Sequence, residues 1–277
     1  MKSARRGFTL VEMSIVLLVL ALVAHLAVGV LSRVRDQKLV RAADEQLESL
    51  RAGVWSRDMA TGEATGFLAD MGRMPHAADG TLGELWSMPA AARPFAVLAA
   101  TSANLAVPDG EKASLADPDV YVPTGWRGPY VRLPFGRTSL LDPWGNPVEV
   151  EDSAGLCRLW VTNGAAVAVS HYGPKAEARG IHTLSLVPDG GATSRVVVTS
   201  ELLGDDDYAG SITYKWYGPA DGLVTGAVAT VTYPAAAVFE GLTPGTRILK
   251  DSVSGVARRI EVRPGDNLVH LRITRRN

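Results

Sequence analysis

Apolar residues are unevenly placed along the chain, and a long apolar run stands near its start. Phe8 to Leu31 is apolar apart from Thr9, Glu12, Ser14, His25 and Gly29, and Lys2, Arg5 and Arg6 stand just before Gly7. As a helix this run would measure about 36 Å, enough to cross a hydrocarbon core of about 30 Å. Three readings compete: a membrane anchor, a secretory signal peptide cut at the small-x-small triplet Ala27-Val28-Gly29, and a buried core helix. Length favours the anchor, because the apolar part of a conventional signal peptide is only about 7–15 residues. Charge alone does not orient the span, since Arg33, Arg35, Lys38 and Arg41 follow it, partly offset by Asp36 and Asp44.

Beyond the run the period changes to an amphipathic one. Val40, Ala43, Leu47, Leu50 and Val54 recur at three- and four-residue steps among Arg41, Asp44, Glu45, Glu48 and Arg51. With no proline before Pro75, one helix is predicted from Phe8 to Arg57, roughly 75 Å long, with Gly29 as its weak point at a cost of about 1 kcal/mol relative to Ala. Half would lie in a bilayer and half would pack on a globular head.

From Ala60 the chain turns to Gly, Pro and Ala-rich loops with short helical pieces. Gly72 to Pro75 and Asp79 to Trp86 read as a turn and a short capped helix, and Phe95 to Leu105 as another helix. Strand patterns follow at Val148–Val150, Arg158–Thr162, Ala166–Ser170 and Thr183–Val187. More come at sandwich-like spacing: Arg195–Ser200, Ser211–Tyr217, Ala227–Tyr233, Arg247–Lys250, Ala257–Val262 and Leu268–Thr274. The predicted class is α+β: a long N-terminal helix on a small antiparallel sheet, then an all-β sandwich.

Composition changes this picture little. The 277 residues are 47% hydrophobic and 21% charged with a formal charge of −1, so no basic field points to nucleic acid. The single cysteine, Cys157, excludes an intramolecular disulfide and reads as a small buried hydrophobe. Phosphate loops, zincin motifs and nucleophile elbows are absent from the sequence. His25 reads as a neutral hydrogen-bonding group within a helix bundle, and His171 and His182 as sheet-edge residues. Asp205-Asp206-Asp207 lacks the later acidic ligands of a calcium loop and reads as a solvated turn. Glu12 is the exception, because a carboxylate in an apolar span is costly unless it is paired or reaches the headgroups.

The string Arg5-Arg6-Gly7-Phe8-Thr9-Leu10-Val11-Glu12 resembles the class III leader of type IV pilins and of the pseudopilins of type II secretion. The resemblance implies that a prepilin peptidase cuts between Gly7 and Phe8 and methylates Phe8. It also implies that Glu12 pairs with the terminal ammonium of a neighbouring subunit during assembly. Two further elements, Gly128-Pro129-Tyr130 and Asp142-Pro143-Trp144-Gly145-Asn146-Pro147, resemble the loops that flank the start of the sheet in the major pseudopilin. Two prolines around Trp144 and a Gly-Asn turn suggest a rigid loop with the indole as an apolar plug. The family's calcium loop is matched only by Tyr172 to Glu177, where Lys175 stands at the expected aspartate, so that site is expected to be lost and no cofactor is expected. Residues 239–246 and 260–267 resemble the closing half of the carboxypeptidase-regulatory-like or immunoglobulin-like sandwiches appended to surface proteins.

The resemblance divides the chain into a leader (1–7), a transmembrane assembly helix (8–31), its amphipathic continuation (32–57), a pilin-like head (58–190) and an appended β-domain (194–277). The implied protein is a non-enzymatic filament subunit of type II secretion, anchored once in a bacterial inner membrane with its head in the periplasm. Its partners would be the peptidase, other pilin or pseudopilin subunits, the secretion platform and the membrane. Two alternatives are a minor type IV pilin with an adhesive β-domain and a secreted or anchored β-domain enzyme. Loss of Lys2, Arg5 and Arg6 with the leader would take the formal charge from −1 to −4.

Overall fold

The computed structural model describes residues 10–75, 82–143, 145, 148–153, 156–161, 183–185, 193–204 and 208–274. Helix α1 (Leu10–Val54) is continuous over 45 residues, about 68 Å of rise. Its first part, Leu10–Val28, is long and apolar enough to cross a membrane, and its apolar side chains are exposed. Its last part buries Ala43, Leu47, Leu50 and Val54, a four-three-four spacing that keeps one stripe on the head.

The head begins with the two-residue strands β1 (Ser56–Arg57) and β2 (Ala64–Thr65), then the short helix α2 (Phe67–Met71). A single 3-10 turn covers Gly83–Leu85. Phe67, Leu68, Met71, Leu82, Leu85, Val131 and Leu140 close over the α1 stripe to form the first apolar core. Strand β3 (Ala96–Ala100), helix α3 (Asp109–Leu115) and strand β4 (Asp117–Thr124) follow, with β3 and β4 antiparallel. The helix predicted over Phe95–Leu105 is therefore corrected to a strand and a turn. Alanine-rich local propensity favours helix there, but pairing to β4 and burial of Ala100 and Leu105 override it. A three-stranded antiparallel sheet comprises β5 (Val148–Ser153), β6 (Leu156–Val161) and β7 (Thr183–Ser185). The strand predicted at Ala166–Ser170 lies outside the described residues.

The C-terminal region is a two-layer sandwich. One sheet, in the order β10 (Leu223–Thr232), β9 (Ser211–Ala220), β12 (Gly245–Asp251), β13 (Ala257–Val262), is antiparallel. The other sets β11 (Ala237–Leu242) and β14 (Gly265–Thr274) on either side of β8 (Ser194–Leu203). First and last strands, β8 and β14, pair in parallel along ten residues. Val196, Val198, Ile212, Tyr214, Trp216, Phe239, Leu249 and Ile273 fill the space between the layers. Arg247 is fully buried and its guanidinium donates to the carbonyls of Thr243, Pro244 and Thr246. Burial pulls its pKa down to about 10.

The sandwich is packed into the head. Tyr217 and Val224 belong to one apolar cluster with Ala100, Leu105, Leu115, Val120 and Val122. The Tyr217 hydroxyl donates to Leu115 O at 2.9 Å, and Lys250 pairs with the largely buried Asp117. The turn between β9 and β10 enters the head, with Asp221 N–H donating to Met71 O at 3.0 Å and Asp221 paired with Arg73. Backbone bonds join Val224 to Asn104 and Ala106. A Cβ on Gly72 would lie 2.0 Å from Pro219 O, so only glycine, at φ +75°, permits this approach.

Candidate assembly site

Glu12 lies in the first turn of α1, where a carboxylate also complements the helix dipole, and it is exposed among exposed apolar residues. Ser14 returns its hydroxyl to Leu10 O at 2.9 Å, which satisfies a polar group inside the apolar run. Gly7 and Phe8 lie outside the described residues.

At its other end α1 is clamped by the second predicted motif. Tyr130 and Val131 backbone N–H groups both donate to Leu85 O, at 2.8 and 3.1 Å. The loop then lies against Gly53, where an added Cβ would come within 2.6 Å of Val131 Cγ2 and 3.2 Å of Tyr130 O. The Tyr130 ring meets Phe67 and Trp126 edge to face, with centroids 5.6 and 5.9 Å apart. Trp126 Nε1 donates to Glu84 O at 2.8 Å.

The Tyr130 hydroxyl accepts from the Arg127 backbone N–H at 2.9 Å and donates to Asp70 Oδ2 at 3.1 Å, while Arg127 Nη2 reaches Asp70 Oδ1 at 3.2 Å. Burial raises the Asp70 pKa above the ordinary carboxylate value, against the opposing pull of Arg127 and Tyr130. Burial, and then the Asp70 charge, pushes the Tyr130 phenol up. The Arg127 guanidinium stacks over Phe95, 3.9 Å from its centroid. These groups border a cleft of about 270 Å³ between the end of α1 and the loop. Their hydrogen bonds and ring contacts hold the loop on α2 and the 3-10 turn, whose Phe67, Leu68 and Leu85 pack on the α1 stripe.

The third predicted motif continues the clamp. Gln46 Nε2 donates to Leu141 O at 2.7 Å, Asp142 is buried, and Gly145 N–H donates to Asp142 O at 3.0 Å with Gly145 at φ +94°. Strand β5 starts directly after the motif. Pro143 is half-buried; Trp144, Asn146 and Pro147 lie outside the described residues, as do Lys175, His171, His182 and Asp205 to Asp207. Among the described residues no three His, Cys, Asp or Glu side chains converge as metal ligands. Asp70, Arg73, Glu84 and Arg127 belong to no sequence motif of their own. Asp70 alone carries a visible signal, as a charged residue inside the apolar string Phe67-Leu68-Ala69-Asp70-Met71.

The N-terminal sequence has a counterpart among known proteins. Residues 2–28 match the prokaryotic N-terminal methylation motif. The match is of prepilin type and covers the basic residues, Gly7, Phe8, Glu12 and the apolar run as far as Val28. No curated protein matches the chain. Among solved structures, the pilus-presented adhesin Spy0125 (Cpa) aligns at 9% identity over 32% of this chain and 28% of the adhesin, with a TM-score of 0.24. The Bacillus anthracis TIE protein aligns at 12% identity over 31% and 17%, with a TM-score of 0.25. The chain thus spans under a third of either protein, and likenesses this low say nothing of its role.

Proposed function

We propose that this chain is a non-enzymatic subunit of a pilus-like filament, cut between Gly7 and Phe8, methylated at Phe8 and assembled through α1. The observation that carries this reading is the methylation motif running directly into one unbroken helix, apolar and exposed at first, then packed on a head. Cleavage before the helix leaves the anchor attached. Withdrawal of that anchor from lipid into a bundle of like helices would keep its apolar surface out of water, and Glu12 would meet the terminal ammonium of a neighbour there. The Gly128-Pro129-Tyr130 loop and the Asp142 loop serve as struts that hold the helix and head as one body.

The assignment to type II secretion, with a periplasmic head, rests on the resemblance of these two loops to the major pseudopilin. A minor type IV pilin is favoured by a different observation: the C-terminal sandwich is fixed to the head by Tyr217, Lys250 and Asp221, so a partner bound to it would be held rigidly on the filament. Glu12→Ala tests the shared core of both readings. Membrane insertion and removal of the leader should persist while recovery in sheared filaments falls at least tenfold. Filaments at the unmodified yield would defeat the charge pairing.

A further inference from the structure

Between the two struts the chain forms an exposed tip. Arg137 N–H donates to Pro134 O at 3.1 Å and Gly136 takes φ +77°, a turn that lifts Phe135 to the apex. Phe135 is fully exposed, and Arg132 and Arg137 flank it, also exposed. A single exposed aliphatic residue is ordinary, but an aromatic side chain free of any packing between two cations resembles the anchor residues of interfaces.

The complementary surface is on the same chain. At 3.6 residues per turn, Glu45 and Glu48 fall on the side of α1 opposite the Ala43–Leu47–Leu50–Val54 stripe, and both are exposed. Arg41 and Lys38 mark the membrane-ward limit of this acidic patch. None of Arg132, Arg137, Glu45 and Glu48 has an ion-pair partner among the described residues. The loop runs along a flank of α1, from Gly53 to Gln46, rather than over the acidic side. Knob and patch therefore cannot meet within one copy. Gln46 is 18 residues beyond Val28, about 27 Å along the helix, which sets the tip away from a bilayer.

We propose that the Phe135 tip docks on the α1 acidic face of a second copy of this chain, with Arg132 and Arg137 against Glu45 and Glu48. Two different surfaces meet, so the contact is head-to-tail and propagates as an open helical array instead of closing a dimer. The inference rests on the filament reading and names the contact that orders its subunits.

The test uses full-length chain in cells with its assembly machinery, in a Cys157→Ser background. A Phe135→Cys, Glu48→Cys chain should give an oxidant-dependent ladder of cross-linked multimers, absent from either single cysteine. Arg132→Glu with Arg137→Glu should lower filament yield about tenfold, and adding Glu45→Arg with Glu48→Arg should restore it. Filaments that form without a ladder, or reversals that are silent or not rescued, overturn this contact and leave the filament reading standing. Shielding of a bimane label at Phe135→Cys by anionic vesicles alone would assign the tip to lipid and overturn it as well. Failure of the parent chain to enter any filament would overturn both.

Discussion

Tyr217 offers the sharpest probe of how the sandwich and head depend on each other. It is fully buried in the cluster shared by β3, α3, β4 and β9, and its hydroxyl supplies a hydrogen bond to Leu115 O. Tyr217→Ala removes a whole aromatic ring from a packed site and strands that carbonyl, a combined loss of about 3–5 kcal/mol. A domain of this size loses roughly 2–4 °C of melting temperature per kcal/mol, so a fall of about 10 °C is expected. The assay is denaturant or thermal unfolding of the full chain in detergent, followed by far-UV circular dichroism and tryptophan fluorescence. Trp86 and Trp126 report the head and Trp216 the sandwich, and all signals should move together as one transition. Removal of residues 194–277 would likewise expose Val120, Val122 and Leu115 and unfold β3 and β4. Two separate transitions, with only the sandwich signal shifted by Tyr217→Ala, would refute the shared core.

Other consequences follow from the clamp. Gly53→Leu places side-chain atoms where Val131 and Tyr130 O now sit; overpacking of about 1–3 kcal/mol outweighs the roughly 1 kcal/mol gain in helix propensity, and limited proteolysis should cut the 131–141 loop faster. Asp70 has a folded pKa raised above its unfolded value, so the folded state holds the extra proton and this group's contribution is largest below the unfolded pKa. Stability from it is lost as pH rises through the folded value, and Asp70→Asn should flatten that part of the stability profile measured by urea unfolding. A slope of opposite sign would contradict the burial argument.

Periodicity made α1 legible because two successive patterns, apolar throughout and then one-sided, both continue a single helix. The sandwich strands were legible for the same reason, as alternation between turn signals. β4 was not, since Asp117-Pro118-Asp119 and Pro123 read as breakers; prolines are tolerated there because the strand pairs along one edge with β3. β11 was masked by Gly241 and the register shift beside it. The Gly128-Pro129-Tyr130 motif announced a loop, but its partners Asp70, Arg127 and Gly53 are distant in sequence and meet only after folding. The packing of Tyr217 against α3 has the same origin: an aromatic residue in a strand pattern does not say which layer it will join.

Intact-mass analysis of the protein purified from membranes of cells that contain the prepilin peptidase tests the central claim most directly. Processing between Gly7 and Phe8 leaves a chain that begins at Phe8, lacks Met1 to Gly7 and is one methyl group heavier than the unmodified sequence from Phe8 onward. A chain starting near Val30, or one that retains Lys2, Arg5 and Arg6 while it accumulates as the mature form, would contradict it.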